Sequence, residues 1–438
     1  MISLVRRAAA RGAAHPAVVD DDRTTTYGDL LAQAEATAAY LHAHHIERFG
    51  ILDYDAAHLI ALLAGAALAG AEPCMFPPLE TPAELDEQAA RFDHTLVVTT
   101  HDLAAATTPI VDPSVLFSFD SGPVPSGPGA AQPLLVQTTG TTGLPKGVRH
   151  DWSRLLRRAE HTKPAPDQRW LLAYGPHQFG GIQVLVHAMA GGSTLIAPFP
   201  RVPRQSLRHM RTHHATHVSG TPTYWRFILA EMRADGGPVP ALEQITLGGE
   251  AIPAGLIEEL EAAFPGAHVS QVYAASEFGA TGSVRDNRNG LPLSVLERGD
   301  NADVQMKIVD GEMWVRSKVG MLGYYGESSD DVDPDGWRPS GDLVEVVGDR
   351  ILFMGRNSDI INVGGVKVHP LPVEERISAV PGVQLARVFG RPNRMTGAIV
   401  AVEVVPVDKD LDEDGEEALE DAIRQACEDL VAASRPRS

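Results

Sequence analysis

The chain has 438 residues, and 37 basic against 57 acidic residues give it a formal net charge of −20. That balance argues against nonspecific binding to nucleic acid or to an anionic membrane, which needs clustered lysine and arginine. Hydrophobic residues make up 44% of the chain, so whole-chain disorder is excluded. Cys74 and Cys427 are too few and too far apart for a disulfide framework or a zinc site, as is usual in a reducing cytosol.

The N-terminus and the apolar stretches predict a soluble, cytoplasmic protein. Residues 1–8 lack the ordered charged, apolar and cleavage regions of a secretory signal. The most apolar stretch, 59–71, consists mostly of alanine and glycine. It is also shorter than the roughly 20 strongly apolar residues that a membrane span needs. We therefore expect no membrane partner.

Predicted helices and strands alternate along most of the chain. Residues 24–41 begin with a threonine that could be an N-cap, and their apolar spacing predicts an amphipathic helix after a short β segment. Apolar runs at 95–99, 133–137 and 193–197 are candidate strands, with alanine-rich helical stretches between them. This alternation predicts α/β layers with buried parallel strands.

The last third of the chain has a different pattern. From residue 305 to 355, short strands separated by glycine and aspartate turns predict a small β unit. Beyond residue 356, strands near 383–389 and 398–405 and a last helix at about 416–433 predict a smaller unit. The acidic run 408–414 before that helix is interpreted as a solvated loop.

Residues 138–147, Thr-Thr-Gly-Thr-Thr-Gly-Leu-Pro-Lys-Gly, form the strongest chemical motif and directly follow an apolar run. Glycines let backbone N–H groups approach an anion, threonine hydroxyls add donors, and Lys146 adds a compact positive charge. This composition favours phosphate binding, although an ordinary glycine–threonine turn is the alternative for such a loop alone. The spacing is not that of the P-loop, because Pro145 precedes the lysine and Gly147 follows it.

Three later residues suit other parts of a nucleotide. Glu277 is an acceptor-only carboxylate among small residues, which suits Mg²⁺ beside a triphosphate, or it is a solvated helix-cap carboxylate. Asp342 could accept two hydrogen bonds from the vicinal diol of a ribose, or it could be a turn aspartate. Tyr273 could stack on adenine or only fill the core.

These motifs follow the order of those in the adenylate-forming superfamily, which includes acyl- and aryl-CoA ligases, luciferases and the adenylation domains of peptide synthetases. Residues 138–147 resemble its signature loop, and 247–253, Leu-Gly-Gly-Glu-Ala-Ile-Pro, resemble its adenine-binding loop. Residues 273–277, Tyr-Ala-Ala-Ser-Glu, resemble its Tyr-Gly-x-Thr-Glu motif. Residues 337–343 resemble its ribose motif, and 355–375 its hinge and the first part of its small domain.

The resemblance implies an α/β fold with a large N-terminal domain of layered α/β subdomains and a small β-barrel-like subdomain, followed by a small mobile α+β C-terminal domain. We expect the adenylation domain, which binds ATP and the acid, over residues 1–355. The hinge is expected over 356–358 and the small domain over 359–438. Ser358 stands where many members have Asp or Lys.

The family's small domain normally ends in a Gly-Lys loop whose lysine reaches the α-phosphate. The last lysine of this sequence is Lys409. We therefore expect a truncated small domain, adenylation without that lysine, or another group in its place.

The reaction implied by the resemblance is attack of a substrate carboxylate on the α-phosphorus of ATP, with Mg²⁺ present and pyrophosphate released. The acyl group then passes to a thiol, that of CoA or of a carrier-protein phosphopantetheine. The expected partners are a small-molecule acid and, where the thiol is on a protein, a carrier protein. Two alternatives stay open: adenylation of nitrite for diazotisation of an arylamine in a biosynthetic pathway, and a nucleotide-binding homologue without ligase activity. The oligomeric state is left open.

The family's functional residues carry over position by position. The catalytic residues implied are Lys146, Glu277, Thr141 and His177, with Glu277 as the Mg²⁺ ligand and His177 as a gate of the acyl pocket or an ordinary loop histidine. Gly364 and Gly365 would line a thiol tunnel or form a β-turn. The residues implied to contact ATP or the acceptor are Thr138, Thr139, Gly140, Thr141, Thr142, Gly143, Lys146, Gly248, Gly249, Glu250, Ala251, Tyr273, Ala274, Ser276, Glu277, Asp342, Arg356, Gly364 and Gly365.

Overall fold

The computed structural model describes residues 1–103, 106–120, 122, 132–138, 145–200, 202–326, 332–408, 411–428, 430 and 434–435. Its helices are α1 (Ile2–Gly12), α2 (Tyr27–Ala43), α3 (Ala56–Ala69), α4 (Pro82–Arg91), α5 (Pro113–Phe117), α6 (Trp152–Leu155), α7 (Phe179–Gly191), α8 (Pro203–Thr212), α9 (Pro222–Asp235), α10 (Leu256–Ala263), α11 (Pro370–Ser378) and α12 (Glu413–Ala426). Among these described helices, none combines the length and apolar composition that crossing a membrane requires.

The strands fall into four sheets. In chain order, the first twelve strands are β1 (Pro16–Val19), β2 (Thr24–Thr26), β3 (Arg48–Leu52), β4 (Glu72–Met75), β5 (Val97–Thr99), β6 (Ile110–Val111), β7 (Pro133–Thr138), β8 (Lys146–Asp151), β9 (Arg169–Leu172), β10 (Thr194–Ile196), β11 (His217–Gly220) and β12 (Gln244–Gly248). The remaining strands are β13 (His268–Ala275), β14 (Gly279–Val284), β15 (Leu291–Pro292), β16 (Val304–Val309), β17 (Glu312–Ser317), β18 (Gly323–Tyr324), β19 (Arg338–Val347), β20 (Arg350–Arg356), β21 (Ile361–Val363), β22 (Val366–Val368), β23 (Val383–Asn393) and β24 (Gly397–Pro406).

Two large sheets form the body of the protein. The first has the order β14-β13-β12-β11-β9-β10-β1-β2, and its inner strands run parallel. The second has the order β18-β8-β7-β4-β3-β5-β6 and is parallel from β7 to β6. Helices α3 and α7 pack with strands of both sheets in one core, which makes the layered α/β arrangement predicted above.

Helix α3 shows why these layers hold together. It contains residues 59–69 of the most apolar stretch of the chain, and eleven of its residues are buried. Small alanine and glycine side chains let α2 approach closely: a Cβ on Gly65 would lie 2.5 Å from the Thr37 Cβ. A helix buried on all sides accounts for its uniformly apolar composition without a membrane.

Two smaller antiparallel sheets follow. The order β15-β20-β19-β17-β16 gives the small β unit predicted after residue 305, and it has its own apolar core. The order β22-β21-β24-β23, covered by α11 and α12, gives the predicted α+β unit at the end of the described chain.

Details at two helix starts differ from the sequence predictions. Thr24 lies in β2, and Thr26 is the N-cap of α2: it accepts a bond from the Asp29 N–H, and the Asp29 carboxylate accepts one from the Thr26 N–H. Helix α12 begins at Glu413, inside the acidic run predicted as a loop. Its first turn holds three carboxylates, which interact favourably with the positive end of the helix dipole. Helix α1 has no counterpart among the predicted elements.

Candidate active site

The phosphate motif runs from the end of one strand to the start of its antiparallel neighbour. Thr138 ends β7 and Lys146 begins β8, and the two residues are direct partners in the antiparallel ladder. The glycines and threonines between them, namely Thr139, Gly140, Thr141, Thr142 and Gly143, lie outside the described residues. A strand-to-strand connection differs from the strand-to-helix connection of a P-loop, in line with the spacing of the motif.

Lys146 begins a strand of the second sheet, Glu277 lies in the turn between β13 and β14 of the first, and both side chains contact Tyr324. The Lys146 Nζ lies 4.6 Å from the ring centroid of Tyr324. The Tyr324 hydroxyl donates to Glu277 Oε1 over 3.1 Å. Glu277 follows the end of β13 and is half-buried, next to the buried Ser276. Sequence analysis missed Tyr324; the only available signal was its place in a Gly-Tyr-Tyr run, which does not by itself indicate a role.

Asp342 lies in β19 opposite Arg356 of β20. The Arg356 Nε is 3.3 Å from one carboxylate oxygen of Asp342, and the Tyr273 hydroxyl donates to the other over 2.7 Å. Burial raises the pKa of the Asp342 carboxyl, while the Tyr273 bond and the Arg356 charge act in the opposite direction. The structure thus brings together three residues that the sequence assigned separately to the nucleotide.

Tyr273 is constrained on several sides. Its ring packs against Phe353 at 4.6 Å and against Phe278 at 5.2 Å between centroids. Burial, followed by the nearby Asp342 charge, raises the pKa of its hydroxyl well above 10. Tyr273 is therefore a hydrogen-bond donor that orients Asp342, a contact the sequence did not reveal. Its predicted stacking on adenine stays a prediction.

The glycine loop after β12 lies beside these residues. Gly249 has φ +85, a backbone conformation that suits glycine, and a Cβ on Gly248 would lie 3.1 Å from the Val272 carbonyl oxygen. The Gly248 carbonyl accepts a bond from the Tyr174 hydroxyl over 3.2 Å. Glu250 accepts the Thr223 N–H at the start of α9, so it ties the loop to that helix.

A cavity of about 1060 Å³ is lined by the residues around Asp342 and by the glycine loop after β12. Its wall on the large body includes Gly248, Gly249, Ala251, Tyr273, Ala274, Asp342 and Arg356. Its other wall comes from α11 and β23 of the last sheet. The predicted ribose and adenine residues therefore share one space between the two parts of the chain.

Gly364 and Gly365 form the turn between β21 and β22, with φ +60 and +93. The Gly365 N–H donates to the Asn362 side chain, and a Cβ on Gly365 would meet no atom within 4 Å. This geometry accounts for both glycines as turn residues. Their role in a thiol tunnel stays a prediction.

His177 precedes α7 and lies near Tyr54, with 6.5 Å between ring centroids. Burial lowers the pKa of its imidazole. Gly175 makes room for the ring, because a Cβ there would lie 2.6 Å from the His177 Cε1. His177 is not among the residues that line the cavity of about 1060 Å³, and its gating role stays a prediction.

Comparison with known families covers nearly the whole chain. The family profile described as AMP-binding enzyme matches residues 5–325, and the one described as AMP-binding enzyme C-terminal domain matches residues 357–436. The predicted domain boundaries stay predictions.

Curated relatives are ligases. The medium/long-chain-fatty-acid–acyl-carrier-protein ligase FadD10 of Mycobacterium tuberculosis is 26% identical over 93% of this chain and 78% of its own length. A feruloyl-CoA synthase of an Amycolatopsis species is 28% identical over 63% of this chain and 60% of its own. A substituted propanoyl:CoA ligase of Mycobacterium tuberculosis is 27% identical, and the match spans about half of that protein, 55%.

Solved structures share the fold. The anthranilate CoA ligase AuaEII in complex with anthranoyl-AMP has a TM-score of 0.85 at 20% identity, covering 100% of this chain and 92% of that one. The o-succinylbenzoate CoA synthetase MenE of Bacillus subtilis with ATP and magnesium has a TM-score of 0.77 at 20% identity, covering 99% and 94%. These comparisons confirm the predicted fold class and the AMP-forming ligase class, and they give no support to the nitrite alternative. The chain belongs to the AMP-binding enzyme family.

Proposed function

We propose that this chain binds ATP with Mg²⁺, joins a carboxylic acid to AMP and passes the acyl group to a thiol. The observation that carries the proposal is the shared cavity, in which Asp342 and Arg356 lie beside the Gly248–Gly249 loop. In the first step a carboxylate oxygen bonds to the α-phosphorus and the bond to pyrophosphate breaks. In the second step the thiol sulfur bonds to the acyl carbon, AMP leaves and the thiol proton goes to solvent.

The nucleoside end of ATP is assigned to this cavity. The Asp342 carboxylate would accept bonds from the ribose hydroxyls, with its orientation held by the Tyr273 hydroxyl and by Arg356. The backbone of the Gly248–Gly249 loop would lie against the base, because glycine leaves the approach open. These interactions position the α-phosphate relative to the acid, which is the main part of catalysis when two anions must meet.

The phosphate end is assigned to Lys146, the Thr138 end of β7 and Glu277. Mg²⁺ in enzymes that bind ATP is usually held by one or two carboxylates together with phosphate oxygens. A single carboxylate such as Glu277 therefore suits a cation that ATP itself brings. When bound, the cation neutralises phosphate charge; Lys146 would add a second positive charge at the same end.

The acceptor and the acid are proposed at the level of chemical class. The matching relatives are named as CoA ligases or acyl-carrier-protein ligases. The thiol is therefore assigned to CoA or to a carrier-protein phosphopantetheine. The acid is assigned to the fatty or aromatic carboxylic acids. A cytoplasmic location stays a prediction.

The test is ATP–pyrophosphate exchange with fatty acids, aromatic acids and nitrite, each with Mg²⁺ or with EDTA. We expect exchange with at least one carboxylic acid and its loss in EDTA. Adding CoA or a phosphopantetheinylated carrier protein should then give a thioester that mass spectrometry detects. Exchange with nitrite alone would replace the proposed substrate class, and ATP binding without exchange would favour a homologue that lacks ligase activity.

A further inference from the structure

Tyr324 contacts both charged groups assigned to the phosphate end of the site. Its ring faces the Lys146 ammonium at 4.6 Å, a distance at which a cation and an aromatic ring attract each other. Its hydroxyl donates to the Glu277 carboxylate over 3.1 Å. The side chain is half-buried, so water screens these contacts less than it would at the surface.

The backbone fixes the ring beside Lys146. Strand β18 pairs with β8, and Tyr324 stands opposite Val148. Side chains at 146 and 148 lie on the same face of β8, so Tyr324 and Lys146 are diagonal neighbours across the ladder. Two backbone bonds hold this register: the Leu322 N–H donates to the Arg149 carbonyl and the Tyr325 N–H donates to the Gly147 carbonyl, each over 2.7 Å.

The same segment is attached to Glu277 just before the tyrosine. The Met321 N–H donates to the Glu277 carbonyl over 3.0 Å. A Cβ on Gly320 would lie 2.6 Å from that carbonyl oxygen, so only glycine allows the close approach. Residues 320–324 thus join the strand that carries Lys146 to the turn that carries Glu277, although these belong to different sheets.

We propose that Tyr324 is a positioning residue of the ATP·Mg²⁺ site, which rests on the function proposed above. Its hydroxyl orients the Glu277 carboxylate toward the cation, and its ring orients the Lys146 ammonium toward the phosphates. Two separate parts of one side chain thus serve two groups. The hydroxyl affects only the binding gained from Mg²⁺, whereas the ring also affects the binding of free ATP.

Calorimetric titration with ATP, in Mg²⁺ and in EDTA, tests this assignment without measuring turnover. Tyr324→Phe keeps the ring and removes the hydroxyl; we expect ATP affinity in EDTA within about twofold of the wild type and a Mg²⁺-dependent gain about tenfold smaller. Tyr324→Leu removes both parts, and we expect a further loss of about threefold in EDTA. The matched control is Tyr325→Phe, because the Tyr325 hydroxyl bonds Arg48 and Asp93, away from the proposed site. We expect this variant to bind ATP as the wild type does.

The outcomes separate this inference from the proposed function. If the wild type takes up no ATP in either condition, the proposed function fails and the role of Tyr324 with it. If the wild type binds ATP with Mg²⁺ and Tyr324→Phe shows the same Mg²⁺ gain, only the Tyr324 assignment is overturned. Equal losses in Mg²⁺ and EDTA for Tyr324→Phe, with a lower melting temperature, would also overturn it, because they indicate a structural role alone.

Discussion

Asp342 is held by two neighbours that come from other strands. The Tyr273 hydroxyl and the Arg356 guanidinium each bond one of its oxygens, while burial raises the pKa of the carboxyl. A half-enclosed carboxylate with a fixed orientation is suited to bind a pair of hydroxyls, because little reordering is needed when the ligand arrives. The motif identified Asp342 as a candidate. Its two neighbours could not be predicted, because Arg356 reaches Asp342 through strand pairing and Tyr273 reaches it from a distant strand.

We predict that Asp342→Ala weakens ATP binding by about 10- to 100-fold, the range expected when a hydrogen bond to a charged group is lost. Calorimetry with ATP measures this. 2′-Deoxy-ATP is the matched ligand: it should bind more weakly than ATP to the wild type, and the two nucleotides should bind more nearly alike to Asp342→Ala. Unchanged ATP affinity in the variant would refute the ribose assignment.

Strand β8 combines binding and packing along one short element. It begins with Lys146, and its next residue has no room for a side chain, because a Cβ on Gly147 would lie 2.7 Å from the Phe92 ring. Further along, His150 is buried and stacks on Phe179 of α7 at 5.3 Å. An apolar run in the sequence indicated β7, the neighbouring strand. The phosphate motif did not indicate that β8 also carries a buried histidine.

Burial lowers the pKa of His150 to about 3 from the ordinary 6.5. As pH falls below 6.5 the unfolded chain takes up a proton that the folded chain does not, so this residue lowers stability in acid. We predict that His150→Leu reduces the loss of unfolding free energy between pH 7 and pH 5 by about 2 kcal/mol. Urea unfolding at the two pH values measures it, with the exposed His268→Asn as control, and an unchanged difference would contradict the prediction.

Between the two parts of the protein, Arg226 of α9 links the large body to the last sheet. Its guanidinium donates to the Gln384 carbonyl over 2.6 Å and lies 3.5 Å from the Ser378 hydroxyl. These contacts close one side of the cavity where the nucleotide is assigned. A few polar contacts of this kind would suit the mobile small domain expected from the sequence, because they are easily exchanged for contacts with water.

We predict that Arg226→Ala loosens this interface and increases the rate of tryptic cleavage after Arg356 by about fivefold. Gel electrophoresis over time measures the cleavage. Arg233→Ala is the control on the same helix, because Arg233 pairs with Glu259 on the large body and should not affect the rate. Equal rates for the two variants would show that Arg226 does not hold the interface.

The amino-acid order was enough to identify the family, the alternation of helices and strands, and the candidate phosphate, ribose and cation residues. These follow from local patterns: residue types at fixed spacing and apolar periodicity. The folded chain was needed to show that Tyr273 orients Asp342, that Tyr324 contacts both Lys146 and Glu277, and that Gly364 and Gly365 form a hairpin turn. Such contacts depend on which strands pair and in what register. Residues far apart along the chain carry no local sequence pattern that indicates this pairing.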